Sequence, residues 1–150
     1  MLLIIVLGFI IPWLTAPYVY KLAPKIFYTV APVGALIAVT LNQLGIHLGL
    51  WKVHHMPTVV LLDSIFLDFG IFTVVSVWFI FILYYKQKNP LWVYPAFIFG
   101  MTGIESIALA IETVSYDEEW NLFYTLLMYI GGFTTLHILT RKLVTLKIYP

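Results

Sequence analysis

Cysteine is absent from the 150 residues, which excludes disulfides, thiolate metal sites and thiol catalysis and leaves the redox compartment unmarked. Charge is scarce too. Charged residues make up 10% of the chain, against about a quarter in a soluble domain. The net charge is only +1 and the cations are scattered, so no basic face exists for a nucleic-acid partner. What abounds is apolar: 62% of the residues are hydrophobic and the mean hydropathy is +0.99. This is the composition of an integral membrane protein, whose first partner is the lipid bilayer. The opening stretch, "MLLIIVLGFIIPWLTAPY", has no positive segment ahead of its apolar run, and it reads as a retained first span rather than a cleaved leader.

A hydrocarbon core about 30 Å thick calls for roughly 20 apolar residues per helix. Polar punctuation divides the chain into five such stretches, at 2–20, 27–51, 59–85, 91–112 and 121–139. The breaks "KLAPK", "KVHHMPT", "KQKNP" and "ETVSYDEEW" are short and rich in proline and charge, as turns between antiparallel helices are. With no internal repeat or second domain in view, the expectation is a single all-α domain over residues 1–150, a polytopic membrane protein of five transmembrane helices.

Cations set the orientation, because short cytoplasmic loops hold the excess Lys and Arg. Lys21, Lys25, Lys86, Lys88, Arg141, Lys142 and Lys147 fall on one side of such a bundle and Lys52 on the other. The N-terminus is then expected outside and the C-terminus in the cytoplasm, with the acidic turn Asp117, Glu118 and Glu119 facing out. Trp51, Tyr116 and Trp120 would form an outer aromatic belt, and Tyr18, Tyr20, Tyr28, Tyr84, Tyr85, Trp92 and Tyr94 an inner one. Pro12, central in the first span, should kink it.

A central Asp in a span costs roughly 2.5 to 3.5 kcal/mol on insertion scales, so polar residues there face the bundle interior or a water-filled cavity. At 1.5 Å rise per residue, Asn42, Asp68 and Glu105 lie about 10 to 14 Å below the outer boundary, and His47 and Asp63 about 6 Å below it. Glu112 belongs near the boundary. Five residues turn a helix by about 500°, which leaves Asp63 and Asp68 about 140° apart, and likewise Asn42 and His47. Only one layer can therefore be shared between spans 2 and 3, unless a helix is irregular near Gly45 or Gly70. The deeper one, Asn42 with Asp68 and Glu105, is the expected site, and His47, Asp63 and Glu112 its mouth. Ser64 shares a face with Asp68, and Gln43 with His47. Gly45 and Gly49 form a GxxxG, and Gly100 and Gly103 precede Glu105; close helix contacts there would seal the layer from lipid.

Two carboxylates in a poorly hydrated pocket cannot both stay ionised without help. A proton, a bound cation or a neighbouring imidazolium must neutralise them, and His47 points the wrong way to do so. The spacing matches no metal motif such as H-E-x-x-H, and it names neither a metal nor a cofactor. The plain alternative is that these groups simply hydrogen-bond across helices, which contributes about 0.6 kcal/mol per bond. An enzyme is not expected, because Ser64 and Ser106 have no recognisable catalytic partner. Two functional expectations remain: a polar outer-half pocket that binds a proton or small cation for transport or sensing, or an accessory subunit of a larger membrane complex. Five short helices barely enclose a pathway, so flux would call for a homo-oligomer.

The stretches "GFIIPW", the "APK" turn, "LNQLGIHLGLWKV" and "EEWNLFYT" resemble a group of five-span membrane proteins of spore-forming Firmicutes with no assigned activity. The resemblance implies a Gram-positive plasma membrane, or the spore membrane, and no particular chemistry. Tryptophan-rich sensory proteins share the span count, but their Trp- and Pro-rich loop signatures are absent here.

Overall fold

The computed structural model describes residues 2–54 and 64–148. In chain order it contains α1 (residues 2–22), α2 (Pro24–His47), β1 (Trp51–Val53), α3 (Ile65–Tyr85), α4 (Pro90–Ala110), β2 (Val114–Tyr116) and α5 (Leu122–Thr145). Four of these helices, α2 to α5, are long and apolar enough to cross a membrane, and α1 adds the shorter apolar helix Val6–Leu22. The molecule is thus an all-α, multi-pass membrane protein with one small two-stranded antiparallel sheet.

Local chemistry explains the element ends. Asn89 and Asn121 are N-caps: the Asn89 Oδ1 accepts from the Leu91 N–H at 2.9 Å, and Asn121 Oδ1 from those of Phe123 and Tyr124. Pro90 follows its cap at the position where a missing N–H costs nothing. The second span, expected to reach residue 51, ends at His47 because the chain turns through Gly49 at φ +76° and enters β1. The last helix continues past residue 139 to Thr145, and Arg141 and Lys142 sit in its closing turns, where cations suit the helix dipole. The first part of the expected third span, residues 59–63, lies outside the described residues.

The centre of the bundle is α3, half of whose apolar window is buried, against 17% for α4. Val77, Phe79, Ile80 and Phe81 are all but sealed from the surroundings. The Phe79 ring meets those of Phe133, Tyr94 and Phe97 at centroid distances of 4.6, 5.1 and 5.4 Å. In lipid, where apolar burial alone gives no drive to associate, such interlocking contacts and interhelical hydrogen bonds hold helices together.

Two irregular turns face each other across α1 and α3. Residues Val6–Ile10 form a π turn just before Pro12, whose ring nitrogen cannot bond the Gly8 carbonyl as a regular helix would require. Residues Asp68–Phe72 form a second π turn, broken at Gly70 (φ −95°, ψ −108°). The main-chain oxygens released at this break find donors elsewhere. Thr73 Oγ1 donates to the Asp68 oxygen at 2.6 Å, and the Trp13 indole N–H donates to that of Phe69 at 2.7 Å.

β1 and β2 pair antiparallel, Trp51 with Tyr116, Lys52 with Ser115 and Val53 with Val114. This two-stranded sheet ties the loop after α2 to the loop after α4, so both lie at one end of the bundle. It was not expected from the sequence, although the β-branched and aromatic residues of the two strands carry a weak signal for it. The GxxxG expectation is corrected. Gly45 instead makes room for Trp51, since a Cβ there would lie 2.0 Å from the indole, and Gly49 lies beyond the helix with nothing within 4 Å. Gly100 and Gly103 likewise have open space where a Cβ would stand. The close approaches are at Gly8 with Gly70, and at Gly34 with Ser76.

Candidate polar site

Asp68 stands at the head of the α3 irregularity and is 1% exposed. Its Oδ1 accepts from Asn42 Nδ2 on α2 at 2.5 Å, and its Oδ2 from Ser64 Oγ at 2.6 Å. The backbone N–H groups of Leu67 and Asp68 both bond the Ser64 carbonyl, which forms the turn that brings the Ser64 hydroxyl under the carboxyl. Gln43 extends the group, its Nε2 standing 3.4 Å from Ser64 Oγ. These partners are all neutral.

Glu105 belongs to a different cluster. Its Oε1 accepts from the Tyr116 hydroxyl at 2.6 Å, and its Oε2 accepts from the Tyr129 hydroxyl. Thr125 Oγ1, fully buried, lies 2.7 Å from the Tyr116 oxygen and accepts from the Trp120 indole N–H at 2.9 Å. Each hydroxyl has one hydrogen to give. Tyr116 spends its own on Glu105, so Thr125 donates to Tyr116, and the chain runs in one direction from Trp120 through Thr125 and Tyr116 to the carboxylate. Burial, and then the Glu105 charge beside it, hold the Tyr116 phenol above its ordinary pKa.

The expected three-residue meeting is therefore corrected in part: Asn42 and Asp68 meet, whereas the partners of Glu105 are tyrosines. The reason is the rotation of α4, which packs chiefly on α5 and so turns Glu105 towards Tyr129 and β2. A cavity of about 160 Å³ connects the two clusters, with Asn42 and Glu105 both among its lining residues. A smaller cavity of about 60 Å³ continues between α2, α3 and α5 past Gly34, Ser76 and Leu136. Asn42, Phe72, Met101 and Tyr129 border both.

Of the mouth residues, His47 is the exposed last residue of α2. Glu112 is exposed just past α4 in a left-handed conformation (φ 56°), beside His54 in a shallow depression. Tyr116 of the Glu105 cluster lines the same depression as Glu112. Asp63 lies outside the described residues. His137, at the opposite end of the bundle, has its Nδ1 2.8 Å from the Tyr94 hydroxyl. Among the described residues no three His, Asp or Glu side chains converge as metal ligands.

Sequence reasoning missed Tyr116, Thr125, Trp120 and Tyr129. Depth could have found one of them: Glu105 is about 8 Å from the end of α4, and Tyr129 about 10 Å from the start of the antiparallel α5. No family model, curated protein or solved structure matches the chain.

Proposed function

We propose that the protein is a five-span membrane protein, amino end outside and carboxyl end in the cytoplasm, whose outer-half polar site takes up a proton or a small cation for transport or sensing. The observation that carries this reading is Asp68, a carboxyl 1% exposed whose partners among the described residues, Asn42 and Ser64, are neutral. Such a group in a membrane span needs a proton or a cation to offset its charge. A proton on Asp68 is accommodated by turning the Asn42 amide end for end, so that its oxygen accepts where its nitrogen had donated. Glu105, across the cavity, supplies the second acidic group. The activity is not enzymatic in this reading, and the resemblance to the Firmicutes proteins favours a Gram-positive plasma or spore membrane.

The test is thermal melting in detergent against pH and a panel of alkali and alkaline-earth chlorides. Wild type should respond to pH or to one cation, and Asp68→Asn with Glu105→Gln should remove the response. An unchanged response in the double variant overturns the reading. A second reading, a subunit of a homo-oligomer or larger complex, is favoured by one observation. Gly100, Gly103 and Gly131 leave open space on the outward faces of α4 and α5, where another helix could approach closely. Co-purification of a stoichiometric partner in mild detergent would support it.

A further inference from the structure

The larger cavity has a composition that a proton or a bare metal cation does not require. Its walls come from α1 (Ile4, Leu7, Gly8), α3 (Leu67, Ile71, Phe72) and α4, with Trp51 and Val53 of β1 at one end. They are apolar apart from a few groups, chiefly Asn42, Glu105 and the Tyr129 hydroxyl. Three aromatic side chains, Trp51, Phe72 and Tyr129, stand around the same space. Its α1 and α4 rim is open: Leu7 is 50% exposed, Ile104 46%, Ile107 62% and Ile111 49%. In a membrane-embedded bundle that rim faces lipid, so the way in is from the side.

From these features we propose that the cavity binds a small lipophilic ammonium ion, with its nitrogen held at Glu105 and Asn42 and its hydrocarbon body against the aromatic and aliphatic walls. This deepens the proposed function by naming a class of cation, and it rests on that reading for Glu105 as a charge-binding group. Four arguments support it. A carboxylate offers about four acceptor positions, and Tyr116 and Tyr129 account for two, so positions remain for a donor entering from the cavity. The two tyrosines also hold the carboxylate in one orientation before any ligand arrives, which lowers the ordering cost of binding. Aromatic faces attract an ammonium once it is desolvated. Lastly, a volume of 160 Å³ accommodates on the order of ten heavy atoms, since one water needs about 10 to 15 Å³ on the same measure.

Phenethylammonium chloride is a suitable probe, titrated at neutral pH into the full chain in nanodiscs of zwitterionic lipid and followed by tryptophan fluorescence, for which Trp51 is placed at the wall. The expected result is a saturable change, not reproduced by 2-phenylethanol, which has the same body without the charge. Glu105→Gln should weaken binding at least about tenfold, the loss of a single charge-assisted contact. Should that variant fail to fold, Ala108→Phe fills the cavity from α4, leaves the carboxylate in place and should abolish saturation. Equal saturation by the alcohol, wild-type affinity in either variant, or no saturable binding at all overturns the proposal. If the ammonium fails to bind while melting still responds to pH or to an alkali cation, this inference falls and the proposed function stands. Ammonium binding without any such response has the opposite meaning.

Discussion

The main-chain oxygen of Gly8 occupies the place where a side chain at Gly70 would begin, 1.9 Å from the position of its Cβ. Two irregular turns thus meet backbone to backbone, and the obstacle is a carbonyl that no side-chain rotation can move. Gly70→Ala must push α1 away from α3, and overpacking of this kind costs about 1 to 3 kcal/mol or more. Melting of the variant in detergent should fall by several degrees. Gly100→Ala is the control. With nothing within 4 Å of its Cβ and a helix propensity better by about 1 kcal/mol, it should melt at or above the wild-type temperature.

Trp13 holds the same junction by a hydrogen bond to the Phe69 carbonyl. Trp13→Phe keeps an aromatic ring for contact with Phe9 and Phe27 and removes only the donor. Leaving that carbonyl without its partner costs about 1 to 3 kcal/mol. Amide exchange over residues 68–73 should speed up while exchange over 74–80 stays slow, and uniform acceleration along α3 would show that the bond is not local in effect.

Thr125 is the hub between Trp120 and Tyr116. Thr125→Val preserves shape and deletes the hydroxyl, leaving the Trp120 N–H without its acceptor and the Tyr116 oxygen without a donor. A loss of about 2 kcal/mol follows. Near-ultraviolet dichroism from the Trp51 and Trp120 pair, whose rings are 4.8 Å apart, should weaken; Thr125→Ser should restore it.

Alkaline pH tests the Tyr116 environment. Its folded-state pKa is raised above the ordinary 10.0, by burial first and by the Glu105 charge second. The phenol's contribution to stability is therefore complete below pH 10 and is lost as pH rises from there through the folded value. The phenolate absorbance assigned by Tyr116→Phe difference spectra should appear only well above pH 10. Glu105→Gln should bring it part of the way back, because burial remains.

Much of this architecture is legible along the chain, and the site only partly so. Apolar runs and their punctuation are local properties, which is why α2 to α5 fall near the expected spans. The Asn42 and Asp68 pairing was within reach of helix arithmetic, since about 1.5 Å per residue places the two at matching depth, although Asp68 heads the irregular turn Asp68–Phe72 rather than a regular segment. That arithmetic says nothing of how far α4 is rotated about its own axis. Glu105 was accordingly expected beside Asp68, and instead it meets Tyr116 and Tyr129.

What residue order determined by itself was the membrane composition, the long apolar helices and their asparagine caps, all consequences of neighbours within a turn or two. Tertiary structure decided the rest: the Gly8 and Gly70 contact, the β1–β2 pairing that joins two loops, and the cavity shared by Asn42 and Glu105. Each depends on the rotation and approach of whole helices. In lipid those are chosen by packing and hydrogen bonding between distant segments rather than by hydrophobicity, which is much the same on every face.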